Sequence, residues 1–196
     1  MDCWAFAQVA EEVLYNEMQP GLAHATELNF NELGLKNVRF RNDRVEPGKV
    51  AEVLDGFRPD VIFLDPARRA EDGRKVFLIE ELFEASRFVL LKLSPMADIT
   101  MACKRLGPHV KEVHVVAAGG ECKELLFLLD REWQGSRSTF VVEDDAVMGI
   151  SGQSGSDVSL GMPGPGELLF EPGKALTKAG AFSLPCERFG LTKLGY

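Results

Sequence analysis

The sequence predicts an α/β fold, because short apolar runs alternate with helix-like segments over the first two thirds of the chain. Two of these runs, at 60–64 and 88–93, are almost entirely apolar, which is typical of strands in a parallel sheet that helices cover. Two further apolar runs lie on either side of Gly119 and Gly120 with no helix between them. We therefore expect a mostly parallel sheet that ends in an antiparallel hairpin.

The N-terminal pattern predicts a helix over 4–11, a strand over 13–15 and a second helix between Pro20 and Gly34. Proline suits the first turn of a helix, and glycine suits the residue just past its end. The second helix should bury one face, because four residues recur at helical spacing. These residues are Leu22, Thr26, Phe30 and Leu33.

Strand-like and helix-like segments continue to alternate along the chain. We expect, in order, a strand at 38–40, a short helix at 47–57, a strand at 60–64, a helix at 76–87, a strand at 88–93, a helix at 99–106, hairpin strands at 112–117 and 124–129, and a strand at 139–143. Asp98 precedes the apolar positions of the helix at 99–106, and we expect it to be the N-cap.

Three regions follow from these patterns. Residues 1–143 form the α/β domain, and residues 144–166, which are rich in Gly, Ser, Pro and Asp, form a surface linker. Residues 167–196 form part of a small α+β region, with a strand at 168–170 and a helix at 172–182. So short a segment cannot build a core alone, and it must dock or belong to something longer.

Composition excludes several classes of protein. The 196 residues carry 22 Lys and Arg against 30 Asp and Glu, and a net charge of −8 argues against a wholly basic nucleic-acid binder. Apolar runs are far shorter than the roughly 18 residues of a membrane span. No secretory signal is visible, and the four cysteines have neither zinc-ligand spacing nor a disulfide framework. We expect a cytoplasmic protein that has no metal site and does not bind membranes.

Acidic residues follow three of the predicted strands. Glu17 ends the first, Asp43 lies shortly after the second, and Asp65 ends the third. Open α/β sheets bind ligands at the carboxyl ends of their strands, where Glu17 could accept hydrogen bonds from ribose hydroxyls and Asp43 from an exocyclic amino group. Each acid taken singly is also compatible with a solvated loop.

The segment that begins at Asp65 is the most informative. Pro66 stiffens the turn, and the adjacent Arg68 and Arg69 supply planar cations that suit phosphate, although they could equally pair with neighbouring acids. Lys92 lies inside an apolar strand near the same edge, either as a substrate contact or as a side chain that reaches to solvent.

Several segments together resemble the class I S-adenosylmethionine-dependent methyltransferases, and most closely a bacterial group with a ferredoxin-like, THUMP-like C-terminal part. The resemblance covers nearly the whole chain except 144–166. It is carried by the segments 15–20, 29–35, 65–69, 91–95, 120–126 and 170–182.

The resemblance implies a Rossmann-like methyltransferase sheet, S-adenosylmethionine as cofactor and RNA as substrate. For the cofactor it implies that Glu17 holds the ribose, Asp43 the adenine amino group and Met18 the adenine face. Asp2 would be the tail of the loop that cradles the methionine part. Asp65 and Pro66 would face the methyl group of the cofactor and the substrate, so Asp65 also belongs to the cofactor site, and Asp65 or the nearby carbonyls would orient an acceptor nitrogen. The residues themselves suggest Arg68, Arg69 and Lys92 as the substrate contacts.

The family's first strand and Gly-rich loop should precede residue 2, so we expect these 196 residues to be part of a longer methyltransferase that binds the cofactor weakly or not at all alone. Two other functions stay open. One is a non-catalytic RNA-binding or interaction module on the same fold. The other is a nucleotide-dependent oxidoreductase, because Glu17 would suit the ribose of NAD equally well.

Overall fold

A computed structural model describes residues 2–66, 79–150 and 158–194. Arg68 and Arg69 lie outside the described residues. The chain divides into two compact units. The described part of the first consists of residues 2–60 and 79–86, and that of the second of residues 61–66, 87–150 and 158–194.

The first unit contains four helices and two strands among its described residues: α1 (Asp2–Ala7), β1 (Val13–Asn16), α2 (Pro20–Glu32), β2 (Val38–Arg41), α3 (Val50–Leu54) and α4 (Ile79–Ala85). Strands β1 and β2 are parallel, and α2 connects them as a crossover helix. Tyr15, Phe30 and Phe40 form an aromatic cluster with ring centroids 6.0–6.3 Å apart. This cluster packs α2 against the two strands.

The buried face of α2 differs from the predicted one. Phe30 and Ala23 are buried, whereas Leu22 and Leu33 are more than half exposed. Ala23 is small enough to let the helix lie close to its neighbours. The buried face therefore begins at Ala23 and not at Leu22. The predicted end of the helix is confirmed, because Gly34 follows it with a φ of 71°.

The second unit is built around a six-stranded sheet. Its elements are β3 (Val61–Leu64), β4 (Phe88–Leu93), α5 (Ile99–Leu106), β5 (Val110–Ala118), β6 (Glu121–Asp130), β7 (Ser138–Glu143), β8 (Ala146–Ile150), α6 (Lys174–Lys178) and α7 (Leu184–Phe189). The strand order is β3-β4-β6-β5-β7-β8. One face is buried along the central strands, where Leu91, Val113, Val115 and Phe127 have no exposed surface.

The prediction of a mostly parallel sheet is wrong for this unit. Strands β3 and β4 are parallel, as are β5 and β7, but the pairs β4–β6, β5–β6 and β7–β8 are antiparallel. The predicted antiparallel hairpin of β5 and β6 is confirmed. Its second strand lies between β4 and β5, so the sheet is mixed in its centre and not only at its end.

The region predicted as a linker, 144–166, begins with a strand. Ala146–Ile150 forms β8 and pairs with β7 through a tight turn at Asp144, whose φ is 50°. The predicted strand at 168–170 is absent, and Leu168, Leu169 and Phe170 are largely exposed there. The predicted helix at 172–182 is shorter, and α7 follows it as a separate helix.

Helix α6 docks the C-terminal segment on the sheet of the second unit. Ala175 is fully buried and Leu176 nearly so, against β5, β6 and β7. The backbone N–H of Lys174 donates to Oε1 of Glu143 at 2.8 Å, which ties the first turn of α6 to the end of β7. Among the described residues, no helix is both long enough and apolar enough to cross a membrane.

Candidate functional site

In the first unit, the carboxyl ends of β1 and β2 are held together by a reciprocal side-chain contact. The Asn16 side-chain amide donates to the Asp43 carbonyl at 3.0 Å, and the Asp43 N–H donates back to Asn16 Oδ1 at 3.0 Å. The Glu17 N–H donates to the Arg41 carbonyl at 3.2 Å, which extends the parallel pairing by one residue. The predicted positions of Glu17 and Asp43 at neighbouring strand ends are therefore confirmed.

The Glu17 side chain is half-buried and partly engaged. Its Oε1 accepts the backbone N–H of Gln19 at 2.9 Å, and the Asn42 side chain donates to the Glu17 carbonyl. Within the described part of the chain, Glu17 Oε2 has no hydrogen-bond partner. Met18 is 53% exposed beside it, so a carboxylate oxygen and an apolar surface adjoin at this edge.

Arg41 fixes the Asp43 carboxylate. Its Nε lies 2.8 Å from Asp43 Oδ2, and its Nη1 lies 2.9 Å from Asp55 Oδ2. The hydrogen bond that Arg41 donates to Asp43 holds the pKa of the Arg41 guanidinium above its ordinary value. Asp43 Oδ1 makes no hydrogen bond to any described residue, so the arginine sets the direction of the carboxylate and leaves one oxygen for a ligand.

Asp2 is the first residue of α1 in the same unit and is half-buried. Burial raises the pKa of the neighbouring Cys3 thiol, and the Asp2 carboxylate adds to that effect. The thiol therefore stays protonated at neutral pH.

The second unit has a cleft at one edge of its sheet. It encloses about 220 Å³ and is lined by residues from three neighbouring strands and the turns beside them. The lining residues are Asp65, Pro66, Lys92, Leu93, Ser94, Pro95, Lys123 and Glu124. Since β3 and β4 are parallel, their carboxyl ends open into the same cleft.

Lys92 joins two carboxylates in this cleft. Its Nζ lies 2.9 Å from Asp65 Oδ2 and 3.8 Å from Glu124 Oε2, and it sits 5.8 Å from the ring centroid of Phe63. The Lys92 side chain is only 19% exposed. Lys92, which is predicted to contact the substrate, therefore forms ion pairs with carboxylates of the protein itself.

Glu124 is absent from the sequence-based set of site residues. The antiparallel register places Leu126 opposite Lys92, and Glu124, two residues earlier in β6, shares the same face of the sheet. The one sequence signal is the presence of three charged residues, Glu121, Lys123 and Glu124, at the start of β6. That pattern alone does not say which strand lies beside it.

Cys122 and Lys123, which precede Glu124 in β6, are not activated as nucleophiles. Burial raises the pKa of the Cys122 thiol; the charge of Lys178 lowers it and that of Glu143 raises it further. Lys123 pairs with Glu121 at 2.7 Å, and this hydrogen bond lowers the pKa of Glu121.

Among the described residues, no group of three or more His, Cys, Asp or Glu side chains is placed to bind a metal ion.

These features define a mixed α/β protein with acidic strand ends, and a comparison with solved structures supports a methyltransferase fold. The chain is similar to the crystal structure of a candidate methyltransferase from Porphyromonas gingivalis W83, with a TM-score of 0.75 and 29% sequence identity. The match covers 96% of this chain and 51% of that protein, so the chain spans about half the length of this relative. No protein-family model and no curated protein matches the chain.

Proposed function

We propose that the chain is part of a class I S-adenosylmethionine-dependent methyltransferase. The observation that carries this proposal is the cleft at the ends of β3 and β4, where Asp65 and Pro66 adjoin the ion-paired Lys92. The 29% identity to a candidate methyltransferase over 96% of the chain supports it. The activity of the whole protein is part of the proposal, because the chain spans about half of that relative.

The residues at the ends of β1 and β2 have the chemistry that S-adenosylmethionine needs. Glu17 offers a carboxylate oxygen for ribose hydroxyls, Asp43 offers one for the adenine amino group, and the exposed Met18 offers an apolar surface for the purine ring. Asp2 is assigned to the methionine part by the resemblance alone. When bound, the cofactor supplies a methyl group on a positively charged sulfur.

The residues of the cleft would position the methyl acceptor. Pro66 fixes the backbone dihedral φ of the turn, and Lys92 holds the Asp65 carboxylate in one direction. Catalysis would then consist mainly of orientation, because the leaving group is already activated and needs no general acid. Asp65 would bind the acceptor group, and Lys92 would act as a positioning residue.

We propose RNA as the substrate class. This rests on the THUMP-like resemblance of the C-terminal segment and on the two adjacent arginines, Arg68 and Arg69, that follow Pro66 in the sequence. With a net charge of −8, binding would depend on local cations and would weaken steeply with salt. The alternative of a non-catalytic RNA-binding module predicts the same salt dependence without methyl transfer.

The test is to express the protein from its complete reading frame and to titrate it with S-adenosylmethionine in a calorimeter. We expect binding that Glu17→Gln weakens and that NADH does not compete with. NADH binding without S-adenosylmethionine binding would instead favour the oxidoreductase. Methyl transfer to RNA then separates an enzyme from a non-catalytic binder.

A further inference from the structure

The ion-paired cluster of Asp65, Lys92 and Glu124 has a chemistry that discriminates between methyl acceptors. Lys92 and Glu124 belong to β4 and β6, and Asp65 directly follows β3, which lies on the other side of β4. Leu64 pairs with Leu91, so Lys92 is the next residue of β4 and Asp65 is the first residue after β3. The cluster is therefore a built feature of the sheet and not a chance contact between loops.

The Lys92 ammonium favours one kind of transition state at the acceptor atom beside it. A nitrogen acceptor becomes more positive as its bond to the methyl carbon forms, and an ammonium group nearby opposes that change. A hydroxyl acceptor loses its proton and its oxygen becomes more negative, which an ammonium group stabilises. Lys92 Nζ is 2.9 Å from the carboxylate expected to bind the acceptor, so its charge acts at short range in a partly desolvated site.

Asp65 supplies the second group that a hydroxyl acceptor needs. A hydroxyl group in the cleft needs an oxygen that accepts its proton and a cation that stabilises its own oxygen, and Asp65 and Lys92 present both within hydrogen-bond distance of each other. Glu124, 3.8 Å from the same ammonium, helps to hold the Lys92 side chain between the two carboxylates. A carboxylate beside a neutral residue would suit an amine better.

We propose that this site methylates a hydroxyl group, and that in RNA the acceptor is the ribose 2′-hydroxyl. This inference rests on the proposed function and replaces the acceptor nitrogen that the sequence resemblance implies. In the balanced step, the hydroxyl oxygen forms a bond to the methyl carbon, and the carbon–sulfur bond breaks with its electron pair left on sulfur. The hydroxyl proton passes by way of the Asp65 carboxylate to water.

The experiment uses the protein expressed from its complete reading frame, S-adenosylmethionine with a tritiated methyl group, and total RNA from cells in which its gene is deleted. After transfer, the RNA is hydrolysed in alkali. A 2′-O-methyl group blocks cleavage at its own phosphodiester, so the label should appear in alkali-resistant dinucleotides. Label in mononucleotides would mean base methylation; it would overturn this inference and leave the proposed methyltransferase intact. Absence of label from RNA would overturn the proposed RNA methyltransferase and this inference with it.

Variants test the assigned role of the ammonium. Lys92→Met should reduce the dinucleotide label by at least about 100-fold while leaving S-adenosylmethionine affinity, measured by equilibrium dialysis, unchanged. Lys92→Arg, which keeps the positive charge, should restore part of the rate. The matched control is Lys104→Met, which removes an exposed lysine on α5 and should retain the wild-type rate. If Lys92→Met fails to fold, Glu124→Gln in the same assay should lower the rate. Wild-type transfer by a folded Lys92→Met or Glu124→Gln variant would contradict the inference.

Discussion

The ammonium nitrogen of Lys92 lies 2.9 Å from Oδ2 of Asp65, which directly follows the strand parallel to that of Lys92. The lysine is one residue past Leu91 and the aspartate is one residue past Leu64, which is the partner of Leu91 in the ladder. The contact therefore follows from the strand register. It gives the carboxylate a fixed direction at the place where the account puts the methyl acceptor.

This relationship predicts that Asp65 is needed for chemistry and not for folding. Asp65→Asn keeps the size of the side chain and removes its charge, so methyl transfer should fall by at least about 100-fold, the usual scale for loss of an acid or base group. The thermal midpoint and the S-adenosylmethionine affinity should stay close to wild type. Tritium transfer to RNA measures the methyl-transfer rate, and calorimetry measures the thermal midpoint and the cofactor affinity. Unchanged transfer would remove Asp65 from the mechanism.

A second prediction concerns Glu17. Glu17→Gln replaces a carboxylate that could bind two ribose hydroxyls by a neutral amide, so cofactor affinity should fall at least about tenfold, as expected for lost hydrogen bonds to a charged group. Equilibrium dialysis with S-adenosylmethionine measures the change. The control is Glu11→Gln, an exposed carboxylate just before β1 that should leave the affinity unaltered. Equal affinities in all three proteins would exclude Glu17 from the cofactor site.

A third prediction concerns stability and pH. Asp130 is 2% exposed and accepts two hydrogen bonds from Arg87, at 2.8 and 3.0 Å, which lower the pKa of its carboxyl group. Because the pKa in the folded state lies below the unfolded value of about 3.9, the pair stabilises the protein above that pH. The stabilisation is lost as the pH falls through the lowered pKa.

Asp130→Asn should therefore lower the free energy of unfolding by about 1–2 kcal/mol at pH 7 and by much less at pH 2–3. Urea denaturation at the two pH values measures this difference. Glu132→Gln, which removes a more exposed carboxylate from the same arginine, should cost less than about 1 kcal/mol at either pH. A constant penalty for Asp130→Asn across this range would show that the carboxylate charge is not what stabilises the pair.

A fourth prediction concerns the docking of α6. A Cβ atom on Gly173 would overlap Glu143 Oε2, so Gly173→Ala must displace the carboxylate that accepts the Lys174 N–H. We expect a loss of about 1 kcal/mol from that hydrogen bond. Gly164→Ala is the control, because its nearest neighbouring atom would lie at 3.7 Å.

A double-mutant cycle separates this effect from a general intolerance of alanine. In a Glu143→Ala background the obstruction is gone, and Gly173→Ala should then cost almost nothing. An equal penalty in both backgrounds would mean that the glycine is needed for another reason.

Local patterns predicted the elements that depend on near neighbours. Asp98 was expected to cap α5, and its side chain accepts the N–H of Met101 at 2.8 Å. The hairpin of β5 and β6 follows from two apolar runs around Gly119 and Gly120, both of which have positive φ. In these cases the deciding interactions lie within a few residues of one another.

Two features escaped the sequence prediction for different reasons. Strand β8 is a short apolar run that includes Gly149 and adjoins a Gly- and Ser-rich stretch, yet it pairs with the preceding strand β7 through the left-handed turn at Asp144. Glu124 reaches the cleft only because β6 inserts beside β4 and brings Leu126 opposite Lys92. No local spacing contains that information.

The most direct test of the central claim is transfer of a tritiated methyl group from S-adenosylmethionine to total RNA, with wild type and Asp65→Asn compared side by side. We expect label in RNA with the wild-type protein and at least about a hundredfold less with the variant, at equal cofactor binding. Label that is absent with both proteins, or equal with both, would contradict it.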